Sequence, residues 1–158
     1  MHHKVLVVIM CWPYHKIDIM ENDMSSNDKR ALGLGILTEV MGEAYVTARD
    51  NSINRFNAPL RSFIDENCFG DVWARDDLDR KTRSLILIST LTALNRSTQV
   101  AAHVRSAINN GASVEEIQGT LYQAIVYCGV VAAADSFRVA EQVLGEMGLL
   151  APWLEANP

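Results

Sequence analysis

The chain has 158 residues, 49% hydrophobic and 21% charged, which suits one domain around a single core and leaves no material for a second. Its net charge of -5 disperses 14 Lys and Arg among 19 acids, which excludes the clustered basic face that nucleic-acid binding requires. The three cysteines, Cys11, Cys68 and Cys128, lie too far apart for a disulfide framework or a metal-ligand spacing, a pattern expected of a reducing cytosol.

Residues 1 to 28 read as an N-terminal extension outside the core. Its apolar run VLVVIMCW is far shorter than the ~20 residues that cross a bilayer, so no membrane association is expected. No small-x-small cleavage site follows, so a secretory leader is not expected either. Because Met20 and Met24 come after the run, it is set aside as an upstream or added segment.

From Lys29 to Asp50 the positions Leu32, Ile36, Val40, Ala44 and Ala48 recur every four residues and predict one amphipathic helix. Asn57 and Pro59 predict the start of a second, with Leu60, Phe63, Ile64 and Cys68 on its inner face and Gly70 as its stop. A loop carrying Trp73 leads to Asp79, a cap for a third helix from Arg80 to Asn95. That helix, rich in Leu and Ile, is expected to be central and buried. Ser97 is expected to cap a fourth helix ending near Asn110 and Gly111. Ser113 and Glu116 have the spacing of a capping box for a fifth, closed by Gly129. A sixth runs from about Ala132 to Met147 and stops at Gly148, and residues 151 to 158 read as a tail. With no alternating pattern anywhere, the fold class is all-α, a compact single-domain bundle of about six helices over residues 29 to 150.

In the fourth helix Val100, Val104, Ala107 and Ile108 form the inward stripe, and His103 lies on it or at its edge. The plainest expectation is a core histidine bonded to a backbone carbonyl; the alternative is an acid or base. The other histidines, His2, His3 and His15, fall in the extension, so the core holds no partner set for zinc or iron. No G-x-S-x-G elbow occurs, and no cysteine shares the His103 helix. GLGIL at 33 to 37 follows no strand, so its glycines point to close helix packing and not to phosphate binding. Arg80, Arg83, Arg96 and Arg105 surround the third and fourth helices and include candidate clamps for a carboxylate, although paired or solvated arginines are the commoner outcome.

Taken in order, the G-x-V-W-x-R element at 70 to 75, the R-S-L-I helix, H-x-R-x-A followed by N-G, E-E-I and Q-x-x-x-Y-x-G resemble the carboxymuconolactone decarboxylase family. VMGEAYV at 40 to 46 extends the resemblance to about residues 30 to 148. It implies an alkyl hydroperoxidase D-like all-α fold, homo-oligomers built from trimers and commonly hexameric, and no metal or organic cofactor. Redox relatives carry a Cys-x-x-Cys ahead of the histidine. Here those positions are Arg96 and Gln99, and Ser84 stands where they place a proton-relaying glutamate, so a thiol-dependent peroxidase is the weaker alternative and a non-catalytic binding homologue a further one. Cys128 is expected only to pack beside Tyr127.

The activity implied is cofactor-free decarboxylation of 4-carboxymuconolactone or a related small carboxylated lactone in aromatic-compound breakdown, inside the cytoplasm. The resemblance assigns His103 as acid or oxyanion donor and Arg96 as carboxylate clamp with Arg83 as a second cation. Gln99, Trp73, Gln123 and Tyr127 supply walls and orienting hydrogen bonds. One departure is Val131, where the family usually has proline.

Overall fold

Ser25 opens the first helix: its hydroxyl accepts from the backbone N–H of Asp28 at 3.3 Å, the usual relief for an unpaired N–H at a helix start. The computed structural model describes residues 24–158, and the readings of VLVVIMCW, Cys11, His2, His3 and His15 lie outside them. Among the described residues there are eight α-helices, one π-helical segment and no strand, so the all-α class holds. They are α1 (Ser26–Met41), α2 (Glu43–Asn51), α3 (Ala58–Phe63), the π-helical segment (Ile64–Val72), α4 (Arg80–Ala93), α5 (Ser97–Asn109), α6 (Val114–Cys128), α7 (Val130–Glu146) and α8 (Leu150–Ala156).

The single helix expected from Lys29 to Asp50 is two, because Gly42 adopts φ 88° and ψ 152° between Met41 and Glu43. That backbone is open to glycine and breaks the i to i-4 ladder. Beyond it, Ala44 and Ala48 face solvent, and the buried residue of α2 is Arg49.

The second expected helix also differs. Asn57 spends its side chain on Asn54 and Ser52 and does not cap α3, and Leu60 and Phe63 are exposed. The chain then widens into a π-helix that runs through Gly70 to Val72, with Trp73 N–H donating to Cys68 O at 2.9 Å. The longer i to i-5 repeat turns Asp65, Phe69 and Gly70 inward, a face that a 3.6-residue period does not select. α1 crosses this segment at close range. A Cβ on Gly33 would lie 1.8 Å from Asp65 O, and one on Gly70 would lie 2.2 Å from Lys29 O. The packing role expected for GLGIL therefore belongs to Gly33, whereas Gly35 faces open space.

The core has two parts. Ile36, Leu37, Val40, Met41 and Phe69 join α1 to the π segment. Ile88, Val100, Val104, Ala107, Ile117, Leu121, Ala140 and Leu144 join α4, α5, α6 and α7. α4 contacts all three of its partners but is not buried all round. Its innermost row is Ser84, Ile88 and Thr92, with both hydroxyls donating to carbonyls one turn back at 2.9 Å, while Ile86 and Leu94 face outward. Asp79 caps α4 and the Ser113–Glu116 capping box opens α6, both as expected. α5 starts at Ser97 itself and not one residue later: Asn95 turns left-handed (φ 53°) and leaves Arg96 at the cap position without a side-chain cap bond. The residues read as a tail form α8.

Candidate active site

At 100° per residue, α5 has two packing faces. Val100, Val104 and Ala107 enter the α4–α7 core, and Ala101 and Ile108 pack beside them. On another side Ala102 packs on the α1 core, and the buried Ser106 hydroxyl donates to Val40 O of α1 at 3.0 Å. His103 falls in the sector between Ser106 and Ala107, at the seam of the two cores. α4 and α5 form a hairpin whose register is set by Asn110, whose Nδ2 donates to the buried Ser84 hydroxyl at 2.9 Å. Two turns back along α5, that register puts His103 at about the level of Leu91.

The carbonyl bond expected of a core histidine is absent. His103 Nδ1 is buried and has no hydrogen-bond partner among the described residues, and burial pushes the imidazole below its ordinary pKa. A buried polar atom left unpaired is costly and calls for an explanation, of which a catalytic role or a bound water is one; Arg49 Nη1 and Arg61 Nε are the other two such atoms among the described residues. At neutral pH this ring is uncharged, able to donate one N–H and accept at the other nitrogen.

Arg83 and Trp73 come together. Both line a cavity of about 210 Å³ along α4, with Leu78, Ile86, Leu87 and Thr90 among the other walls. Leu87 lies one turn from the His103 level, and Trp73, stacked on Phe69 at 5.7 Å, packs on the same α1 core as Ala102. His103 itself does not line this cavity. Gln123 belongs to a neighbouring cavity of about 290 Å³ with Leu85, Ser89 and Thr120, and the two share Ile86 and Thr90 as a common ridge. The remaining candidates are not brought in: Arg96 and Gln99 are exposed at the start of α5, and Tyr127 is 80% exposed near the end of α6.

Arg83 is the cation that lines the α4 cavity, but it is already engaged. Its side chain is 11% exposed, pairs with Asp77, and donates to the carbonyls of Leu78 at 3.2 Å and Arg75 at 3.3 Å. Arg75 foremost, together with Arg83, holds the Asp77 carboxyl below its usual range. Of the other arginines, Arg80 pairs with Glu39 at 2.5 Å and Arg105 with Glu146. The sequence reading missed Asp77 and the ridge residues. Asp77 had one available signal, an acid just ahead of a helix whose first turn carries an arginine.

Neither described thiol lines the two cavities, although Cys68 packs on the same α1 core as Trp73. Burial raises the Cys68 pKa, which lowers its thiolate fraction, and Cys128 is half-buried at the end of α6. Ser84, in the position of the relay glutamate, is fully buried and bonded to Arg80 O and Asn110. No group of three or more His, Cys, Asp or Glu suited to a metal occurs among the described residues. No described helix is long and apolar enough to cross a membrane.

The family profile of carboxymuconolactone decarboxylases matches residues 58–142, from the start of α3 to late α7. A 4-carboxymuconolactone decarboxylase of Acinetobacter baylyi is 33% identical over 126 residues, which is 80% of this chain and 94% of that protein. The chain belongs to the carboxymuconolactone decarboxylase family. A second relative, a nitrosuccinic acid decarboxylase of Metarhizium robertsii, is 31% identical over 115 residues, covering 73% of this chain and 80% of the relative. The carboxymuconolactone decarboxylase match spans α3, the π segment and α4 to α7, so both cavities and His103 fall within it. Val131, where proline is usual, is exposed in the first turn of α7, and that helix forms without it.

Proposed function

We propose that this protein is a cofactor-independent carboxy-lyase acting on a small acid of the 4-carboxymuconolactone class, with His103 as the group that meets the reacting electrons. The observation that carries this reading is the buried, unpartnered Nδ1 of His103 at the seam of the two cores. The two relatives lend support through the chemistry that their names denote. One is named for a lactone acid and the other for a nitro acid. In each acid the electrons freed with carbon dioxide pass to an oxygen that the substrate already carries, the lactone carbonyl or the nitro group. A protein serving either needs a hydrogen-bond donor for that oxygen, a proton for the carbon, and a dry pocket.

A lowered pKa favours the oxyanion-donor role for His103 over the acid role, since a neutral imidazole offers an N–H without being a strong acid. Trp73 and Arg83 supply a wall and a cationic edge. Gln123 lies across the Ile86–Thr90 ridge. Arg96 serves as clamp for the retained carboxylate only if it swings in from its exposed position at the start of α5.

The working form is a homo-oligomer. Tyr122 and Val126, one turn apart on α6, and Val130 and Val131 at the start of α7 are apolar and about two-thirds or more exposed, which favours an interface on this side. The test is carbon dioxide release from 4-carboxymuconolactone and, in parallel, from nitrosuccinic acid. His103→Asn is expected to keep the helix content and lose at least ~100-fold in turnover. Full activity in that variant removes His103 from the mechanism, and no release from either acid overturns the substrate class.

A further inference from the structure

On the side of α6 away from the α4 ridge, a cavity of about 150 Å³ opens between α6, α7 and α8. Its walls are Ile117, Leu121, Phe137, Leu144, Leu150 and Trp153, and no arginine, lysine or histidine lines it. α8 forms one side and is fastened there by the Trp153 indole N–H, which donates to the Glu115 carboxylate in the first turn of α6. The polar lining is confined to Gln118 and Glu141, whose residues are both exposed and so mark the rim.

Charge and size select the occupant. The lining holds one carboxylate and no cation, and the arginine one turn away on α7, Arg138, pairs with Asp135, so a small acid of the kind proposed for the α4 site is repelled. An apolar chamber of about 150 Å³ matches the size that accepts a benzene-sized molecule. Gln118 and Glu141 offer acceptors for one hydroxyl. We infer that this cavity is a second binding site, separate from the decarboxylation chemistry, for a neutral molecule with one six-membered apolar ring and one hydroxyl. The apolar body displaces poorly held water from the Leu, Ile and Phe walls, and the hydroxyl donates to the Glu141 carboxylate at the mouth.

The Trp153 indole N–H gives an NMR signal at the wall of the cavity and allows a direct test on the full chain. Benzyl alcohol, titrated against the labelled protein, should move that signal saturably, and benzoate should bind at least ~10-fold more weakly because its charge meets Glu141. Glu141→Gln should bring benzoate closer to benzyl alcohol. Ala140→Leu, which fills the cavity from α7, should abolish the benzyl alcohol shift. If that variant does not fold, Gln118→Trp at the exposed rim blocks the same mouth without touching the core. A signal that does not saturate, equal binding of alcohol and acid, or an unchanged shift in a folded blocking variant overturns the assignment. All readouts are binding shifts, so they stand or fall independently of carbon dioxide release at the α4 site.

Discussion

Arg49 of α2 and Asp65 of the π-helical segment form an ion pair whose side chains are 4% and 2% exposed. Arg49 also donates to Arg61 O at 3.2 Å, so one guanidinium fastens α2 to the segment beneath it. Burying two charges is repaid only while both are present. Asp65→Ala leaves Arg49 buried and unneutralised, and Arg30, whose Nε sits 3.8 Å from Asp65 but whose side chain is 44% exposed, is bound to the same lost carboxylate. The expected loss is ~3–5 kcal/mol, and replacing both partners with leucine and methionine should recover most of it. Urea denaturation of the single and double variants reads this directly.

Gly33 and Gly35 lie two residues apart on α1 and should respond oppositely to alanine. At Gly35 a methyl meets nothing within 4 Å, so the helix gains ~0.5–1 kcal/mol from reduced backbone freedom. At Gly33 the methyl would lie 1.8 Å from Asp65 O, and the obstacle is backbone that cannot rotate away. Gly33→Ala must push α1 from the π segment and should cost at least ~3 kcal/mol. Melting temperatures moving in the same direction would contradict the crossing geometry.

Burial gives His103 a pH signature. The unfolded imidazole titrates near 6.5 and the folded one lower, so between the two values the unfolded chain holds more protons. Stability is therefore full above about 6.5 and declines as pH falls from there towards the folded pKa, where the loss levels off. Denaturation midpoints at about pH 7.5 and about pH 5.5 should differ by less in His103→Asn than in the parent. An equal pH response in both chains would show that His103 titrates as if exposed.

The exposed apolar residues Tyr122, Val126 and Val130 yield a prediction about size in solution. Val126→Lys places a charge in the middle of a face that is exposed in the single chain. If that face joins copies, sedimentation should show a smaller species with unchanged helix content, because a lysine buried without a partner opposes association. Unchanged sedimentation would move the interface elsewhere.

The parts of the fold that were legible in sequence are those set by contacts a few residues apart. Ser113 and Glu116 announce their cap because each satisfies a backbone group one turn away, and Asp79 does the same for Thr82. Gly42 did not announce a break, since glycine inside a helical period is tolerated and only the surrounding packing decides its φ. The π-helix was invisible for a related reason: no residue pattern demands its wider turn, and the contact that accompanies it, Asp65 to Arg49 of α2, is tertiary. In the site, two of the residues named from the sequence, Trp73 and Arg83, line one cavity along α4, while His103 sits on the neighbouring α5. The partnership of Arg83 with Asp77 depends on how the 73–79 loop folds back, which spacing alone does not determine.

That partnership bears on how a substrate arrives. Asp77 faces both Arg75 and Arg83, so these three side chains keep one net positive charge beside the α4 cavity, while the chain as a whole carries -5. If the substrate is the small acid proposed above, it meets the repulsive field of the whole chain from a distance, and attraction begins only within short reach of the Arg75 and Arg83 guanidiniums. Salt shortens the reach of that field to about 8 Å at physiological strength. Raising ionic strength should thus quicken the capture of an acid, the reverse of what an enzyme with a positively charged funnel would show.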